Sequence, residues 1–217
     1  MLLFGTRWQD LVMALPGILV AITFHEYMHG YVAWRFGDPT AARAGRLSPE
    51  PWRHIDLFGF LALLIVGFGW AKPVPIDPRY FRRPRLYTAL VGLAGPLTNF
   101  ALAMITALVL AVWQRLATAT PVGFQADLYN VITLMLVLNI AFGLFNLIPV
   151  PPLDGSRILS ALLPPRLAEW YDFAGARAGL LLVAALFFVL VSTGIVGPVV
   201  QNVSNAFYSA ALALVGL

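Results

Sequence analysis

The sequence contains no cysteine. Disulfide staples and thiolate metal sites are thereby excluded, and the redox compartment is left open. Charge is scarce as well, with 14 Lys and Arg and 10 Asp and Glu making up 11% of 217 residues. Soluble domains carry about 25%. So few charges do not clothe a soluble surface. With 60% hydrophobic residues and a mean hydropathy of +0.81, the composition describes an integral membrane protein. The net charge of +4 is no nucleic-acid signal, because the basic residues gather in particular loops, and no nucleic-acid partner is expected. There is no internal repeat, and Gln114–Asp127 is too short to hold a folded module, so residues 1–217 are expected to form one membrane-embedded domain.

What the chain has in abundance is apolar runs of spanning length. The first, Asp10–Phe36, contains Pro16-Gly17 and stops at Gly37-Asp38-Pro39. It carries ionisable residues and runs on to Trp34, so it is not read as a cleaved signal peptide. Leu86–Trp113 is the second expected span, with Gly92, Gly95-Pro96 and Asn99. Its glycines read most simply as helix packing. Leu128–Ile148 is the third, with Asn139 and Asn146, and Arg177–Val200 the fourth. Residues 201–217 fit either an interfacial helix or a fifth span. Between spans one and two, Leu57–Trp70 is apolar but short and holds three glycines, with Pro73 and Pro75 following. Short strands or a re-entrant hairpin are expected there. The fold class is therefore an α-helical membrane protein of four to five spans with a small β or re-entrant segment.

Inside the first apolar run lies His25-Glu26-Tyr27-Met28-His29. Residues four apart share one helix face, with Cβ atoms about 5–6 Å apart. His25 and His29 can therefore offer two imidazole nitrogens to one tetrahedral metal ion, with Glu26 beside them to deprotonate a water. Ionisable groups in such surroundings are costly and by default functional. At about 1.5 Å per residue, His29 sits ~10 Å inside the Phe36 end of the helix.

Twelve of the 14 basic residues fall between spans one and two, or three and four, or at their edges; Arg7 and Arg115 fall on the other side. The positive-inside rule puts those two loops in the cytoplasm and the N-terminus outside. His29 and Asp154 then face the same, cytoplasmic, side. A catalytic zinc site normally has three protein ligands, so one is still missing. Asp10 and Asp127 lie on the wrong side; Asp38, Glu50, Asp56, Asp77, Glu169 and Asp172 read as solvated loop charges. Asp154 follows a proline-broken helix end, where the chain can turn back beside the first helix, although Asp-Gly alone is most simply an ordinary turn.

Taken together, His25-Glu26-x-x-His29, Gly95-Pro96-x-x-Asn99 and Asn146-x-x-Pro149-x-Pro151-x-x-Asp154-Gly155 resemble the site-2 protease family of intramembrane zinc metalloproteases. Gly45-Arg46-Leu47, Pro51-x-x-His54-Ile55-Asp56 and Lys72-Pro73-Val74-Pro75 add to the likeness. The resemblance covers roughly residues 20 to 160 and implies that His25, His29 and Asp154 bind one Zn2+ per chain. It implies that Glu26 is the catalytic acid and base and that Asn146 positions substrate or stabilises an oxyanion. Asn99 and His54 join it as weaker candidates for such a role, His54 reading more readily as a loop histidine. Leu57–Lys72 would belong to a membrane-associated sheet that receives the unwound substrate. No inserted PDZ module and no CBS pair are present, which corresponds to a minimal form. The expected partners are the lipid bilayer and a single-span membrane-protein substrate in the cell (inner) membrane. A homo-oligomer or a regulatory membrane partner stays open. Three rivals remain: a metal transporter using the same His and Asp, a catalytically silent adaptor, and a prenyl-protein protease, whose third ligand would be a Glu in a later helix.

Overall fold

A computed structural model of the chain describes residues 8–66, 69–117 and 119–216. Arg7, the one basic residue assigned to the outer side at the N-terminus, lies outside them. Eight α-helices occur among the described residues: α1 (Trp8–Arg35), α2 (Thr40–Arg43), α3 (Leu57–Val66), α4 (Pro84–Leu116), α5 (Phe124–Asn146), α6 (Asp154–Leu162), α7 (Pro165–Thr193) and α8 (Val196–Leu214). The helices α1, α4 and α5 are each long and apolar enough to cross a membrane. The two halves of α7, Pro165–Gly179 and Leu181–Thr193, meet at 75° and together qualify as a fourth crossing. The protein is a multi-pass helical membrane protein.

The helices α1, α4 and α5 pack on one another, α6 lies against α4, and α8 packs on α4 and α5. Along α4, Ala103, Ala107 and Ala111 are fully buried and four residues apart, a strip of small side chains on one face. Small residues let helix backbones approach where lipid supplies no hydrophobic drive for association. Leu136 and Ile140 of α5 and Val200 and Ala211 of α8 complete that core.

Two elements depart from expectation. The fourth span does not run to Val200, because Gly194 adopts a left-handed conformation (φ 67°) that ends α7 at Thr193. The tail is instead α8, packed into the core. The region between spans one and two holds no sheet among its described residues. Leu57–Val66 is helical, an extended arm returns from it, and one antiparallel bridge joins Ile55 to Ala71. The strand expectation does not hold. With a single bridge and helix-compatible residues such as Leu61, Ala62, Leu63 and Leu64, local helical hydrogen bonds satisfy the backbone where a ladder would otherwise be needed.

The end of α1 fixes that arm. Gly37 (φ 101°) closes the helix: its N–H donates to Trp34 O (3.0 Å), and the Asp38 N–H donates to Ala33 O (3.0 Å). Asp38, expected as a solvated charge, is instead fully buried. It accepts from the Thr40 N–H (2.9 Å), the Thr40 hydroxyl and the Asp77 N–H (2.7 Å). Hydrogen bonds to charged groups are worth about 1.5–3 kcal/mol. Asp38→Ala is therefore expected to destabilise the protein by about 1.5–3 kcal/mol. Unfolding in detergent measures this, and an unchanged midpoint would show the anchor to be dispensable.

Candidate active site

The H-E-x-x-H segment makes little more than one turn of α1, and both imidazoles turn inward. His25 and His29 are 2% and 3% exposed, with ring centroids 4.6 Å apart and planes at 87°. Asp154 is the first residue of α6, where the helix dipole favours a carboxylate. The prolines from 149 to 152 end α5 and carry the chain back across α4, so that Asp154 meets α1 over a separation of 125 residues. Its Oδ2 lies 2.9 Å from His25 Nε2 and 3.0 Å from His29 Nε2. Ligand atoms of the three residues all lie within 4.8 Å of one another.

The outer faces of the two rings reveal what the inner faces can hold. His29 Nδ1 donates to the backbone carbonyl of Val91 (2.7 Å), and His25 Nδ1 donates to Asn99 Oδ1 (2.6 Å). With their protons held there, both Nε2 atoms turn lone pairs toward a carboxylate oxygen in a buried site. Three electron-rich atoms so placed require positive charge between them, and an N, N, O donor set suits zinc. The rings reach this position because α4 presents a glycine to them. A Cβ on Gly95 would lie 2.5 Å from His29 Nε2 and 2.7 Å from His25 Nε2.

A cavity of about 100 Å³ opens onto this cluster, with Glu26, Asn146 and Arg157 in its wall. The Val74 N–H donates to Glu26 Oε2 (3.2 Å), which orients that carboxylate. Asn146 donates to Phe142 O of its own helix (3.0 Å). Pro73, Val74 and Ile76 also line the cavity. The segment bordering the cavity is thus the stretch just beyond Leu57–Lys72, the region expected to receive substrate. Arg46 pins it: buried three residues beyond α2, Arg46 donates to Lys72 O (2.5 Å) and Pro73 O (3.1 Å).

Asn99 and His54 do not reach the cavity. Asn99 sits behind His25, fully buried. His54 is also fully buried and donates from Nε2 to Ser48 O (2.7 Å), while its backbone carbonyl accepts from the Lys72 N–H (2.9 Å). Burial pushes its imidazole below the ordinary value, and the Arg46 charge works in the same direction. It is a brace for the loop. Arg157 was missed by sequence reasoning as a cavity residue; its Nη1 is 3.8 Å from Asp154 Oδ1, the oxygen the histidines leave free. Its place three residues after Asp154, one turn along α6, was the available signal.

A buried His–His–Asp cluster with an adjacent Glu, built by distant segments of a membrane helix bundle, defines the class: a polytopic membrane protein with a metallopeptidase-type donor set. The model of peptidase family M50 matches residues 116–190. Bacillus subtilis YwhC is 41% identical over 162 residues, covering 72% of this chain and 74% of YwhC. Mycobacterium tuberculosis Rip2 is 36% identical over 162 residues, covering 71% of this chain and 58% of Rip2. MJ0611 of Methanocaldococcus jannaschii is 26% identical over 181 residues, covering 82% of this chain and 81% of that protein. All three are named as candidate zinc metalloproteases. No solved structure matches. The chain belongs to peptidase family M50, the site-2 proteases.

Proposed function

We propose that this protein is a zinc-dependent intramembrane endopeptidase that hydrolyses a peptide bond in or near the transmembrane segment of a single-span membrane protein. The observation that carries the reading is the convergence of His25, His29 and Asp154 on one point beside the Glu26 carboxylate, in the wall of one cavity. Family membership and the names of the relatives support it. His25, His29 and Asp154 would hold the ion, which when bound supplies Lewis acidity and acidifies water.

The chain's own residues do the rest. Glu26 takes a proton from a water in the cavity as the water oxygen bonds to the scissile carbonyl carbon, and delivers it to the leaving amine nitrogen as the C–N bond breaks. Val74 keeps one Glu26 oxygen tethered, so the other is the one that moves the proton. The Asn146 amide, once it leaves Phe142 O, is a donor for the developing oxyanion. A substrate helix must unwind locally, because its carbonyls are otherwise held in its own hydrogen bonds. The site lies at the Arg35 end of α1, the Pro84 end of α4 and the Asn146 end of α5, which is the end bearing the basic loops. That supports a cell-membrane protein with its N-terminus outside and its active site toward the cytoplasm.

Metal removal tests the reading. Purified protein given a single-span substrate is expected to lose all cleavage with a zinc chelator and regain it with one equivalent of zinc. Zinc accumulation in proteoliposomes without any cleavage would establish the transporter instead.

A further inference from the structure

A chain of side-chain amides runs from His25 across three helices. His25 Nδ1 meets Asn99 Oδ1 of α4 at 2.6 Å. Asn99 Nδ2 donates to Asn139 Oδ1 of α5 (3.0 Å) and to the Ala21 carbonyl of α1 (3.2 Å). Asn139 Nδ2 donates to the Met135 carbonyl, one turn back in α5 (2.8 Å). Asn99 and Asn139 are both 0% exposed. Neither lines the cavity, so neither is placed to touch substrate.

The direction of every bond in this chain is forced from its far end. A backbone carbonyl only accepts, so Met135 O must face the NH2 of Asn139, and Asn139 Oδ1 must then face Asn99. That oxygen, with Ala21 O, takes both hydrogens of the Asn99 amide, so Asn99 Oδ1 is what remains for His25. An acceptor at that point holds the proton on Nδ1 and leaves Nε2 as a lone pair aimed at Asp154. For His29 the same task falls to the backbone carbonyl of Val91, which no side-chain substitution removes. His25 alone depends on side chains, and its orientation is set two residues away from it in space.

We infer that Asn139, acting through Asn99, is a positioning residue that locks His25 in its metal-ready tautomer and orientation. The inference rests on the metallopeptidase reading only for the identity of the ion; the relay itself is a property of the protein's hydrogen bonds. Partners behind a metal-ligating histidine typically change metal affinity by 10- to 100-fold when removed.

Asn139→Leu keeps the side-chain size and is compatible with an apolar helix, but removes the acceptor facing Asn99. Asn139→Asp keeps an oxygen acceptor there in either protonation state. The test compares both variants with the unaltered protein in detergent, with two readouts. One is zinc affinity by competition with a chromophoric chelator. The other is solvent exchange of the His25 Nδ1 proton by nitrogen-15 NMR. Asn139→Leu is expected to weaken zinc binding by about 10- to 100-fold and to speed that exchange at least about tenfold. Asn139→Asp is expected to stay within about threefold of the unaltered protein in both. If Leu matches the unaltered protein, or if Leu and Asp fail equally, the relay is overturned and Asn139 is packing. If the exchange pattern follows the relay while no variant, nor the parent, binds zinc, the relay stands and the proposed metal is what fails.

Discussion

Glu26→Gln is expected to lower cleavage by about 10²–10⁴-fold, the range that a positioned general base contributes, while one zinc ion per chain stays bound. The two halves of this expectation separate catalysis from assembly. Glu26 is absent from the cluster formed by His25, His29 and Asp154, and the substitution keeps its length and its acceptor oxygen. An amide at this point can still accept from the Val74 N–H, so the 73–76 wall of the cavity stays in place. What the amide lacks is the basicity to take a proton from water. Initial rates on a single-span substrate, measured beside the metal content of the same preparation, check both. A glutamine variant cleaving at the full rate would remove Glu26 from the mechanism; one that had lost its metal would make Glu26 part of the binding set.

Gly95→Ala is expected to abolish stoichiometric zinc binding and, with it, activity, with helical content retained. A methyl at position 95 would meet His29 Nε2 at 2.5 Å, His25 Cε1 at 2.6 Å and His25 Nε2 at 2.7 Å. The atoms it strikes are the ligand-bearing edges of two rings, which have little room to give. Each ring is held from behind by its Nδ1 bond, and α1 and α4 are packed against each other along their length. Overpacking of this kind costs about 1–3 kcal/mol, which a large helical bundle can survive. A displacement of about 1 Å at a reacting centre nevertheless costs about 10²-fold in rate. Metal analysis and circular dichroism of the purified variant decide the matter. A Gly95→Ala protein that binds one zinc with unaltered affinity would show that the rings do not occupy the positions described.

That glycine also marks the limit of what the sequence discloses. In Gly95-Pro96-x-x-Asn99 the small residue reads as helix packing, and so it is, but the objects packed against it are the two imidazoles. Asn99 reads as a polar group in need of a partner; that the partner is His25 depends on how α4 crosses α1, which no local pattern encodes. Asp38 shows the same gap. A loop aspartate beside Gly37 and Pro39 looks solvated, yet it is fully buried because an arm nearly forty residues later folds back and donates the Asp77 N–H to it.

The sequence by itself determined the membrane class, the rough extent of the first three long helices, and the pairing of His25 with His29. Each follows from short-range physics: the cost of charge in hydrocarbon and the 3.6-residue repeat of a helix. Only the tertiary structure decided that Asp154 reaches those rings, that Glu26 and Asn146 share a cavity with them while Asn99 and His54 do not, and that residues 73–76 face it. These are meetings between segments tens to more than a hundred residues apart. They are fixed by which helix faces are small enough to touch and by where buried polar groups find partners, and a linear pattern contains neither.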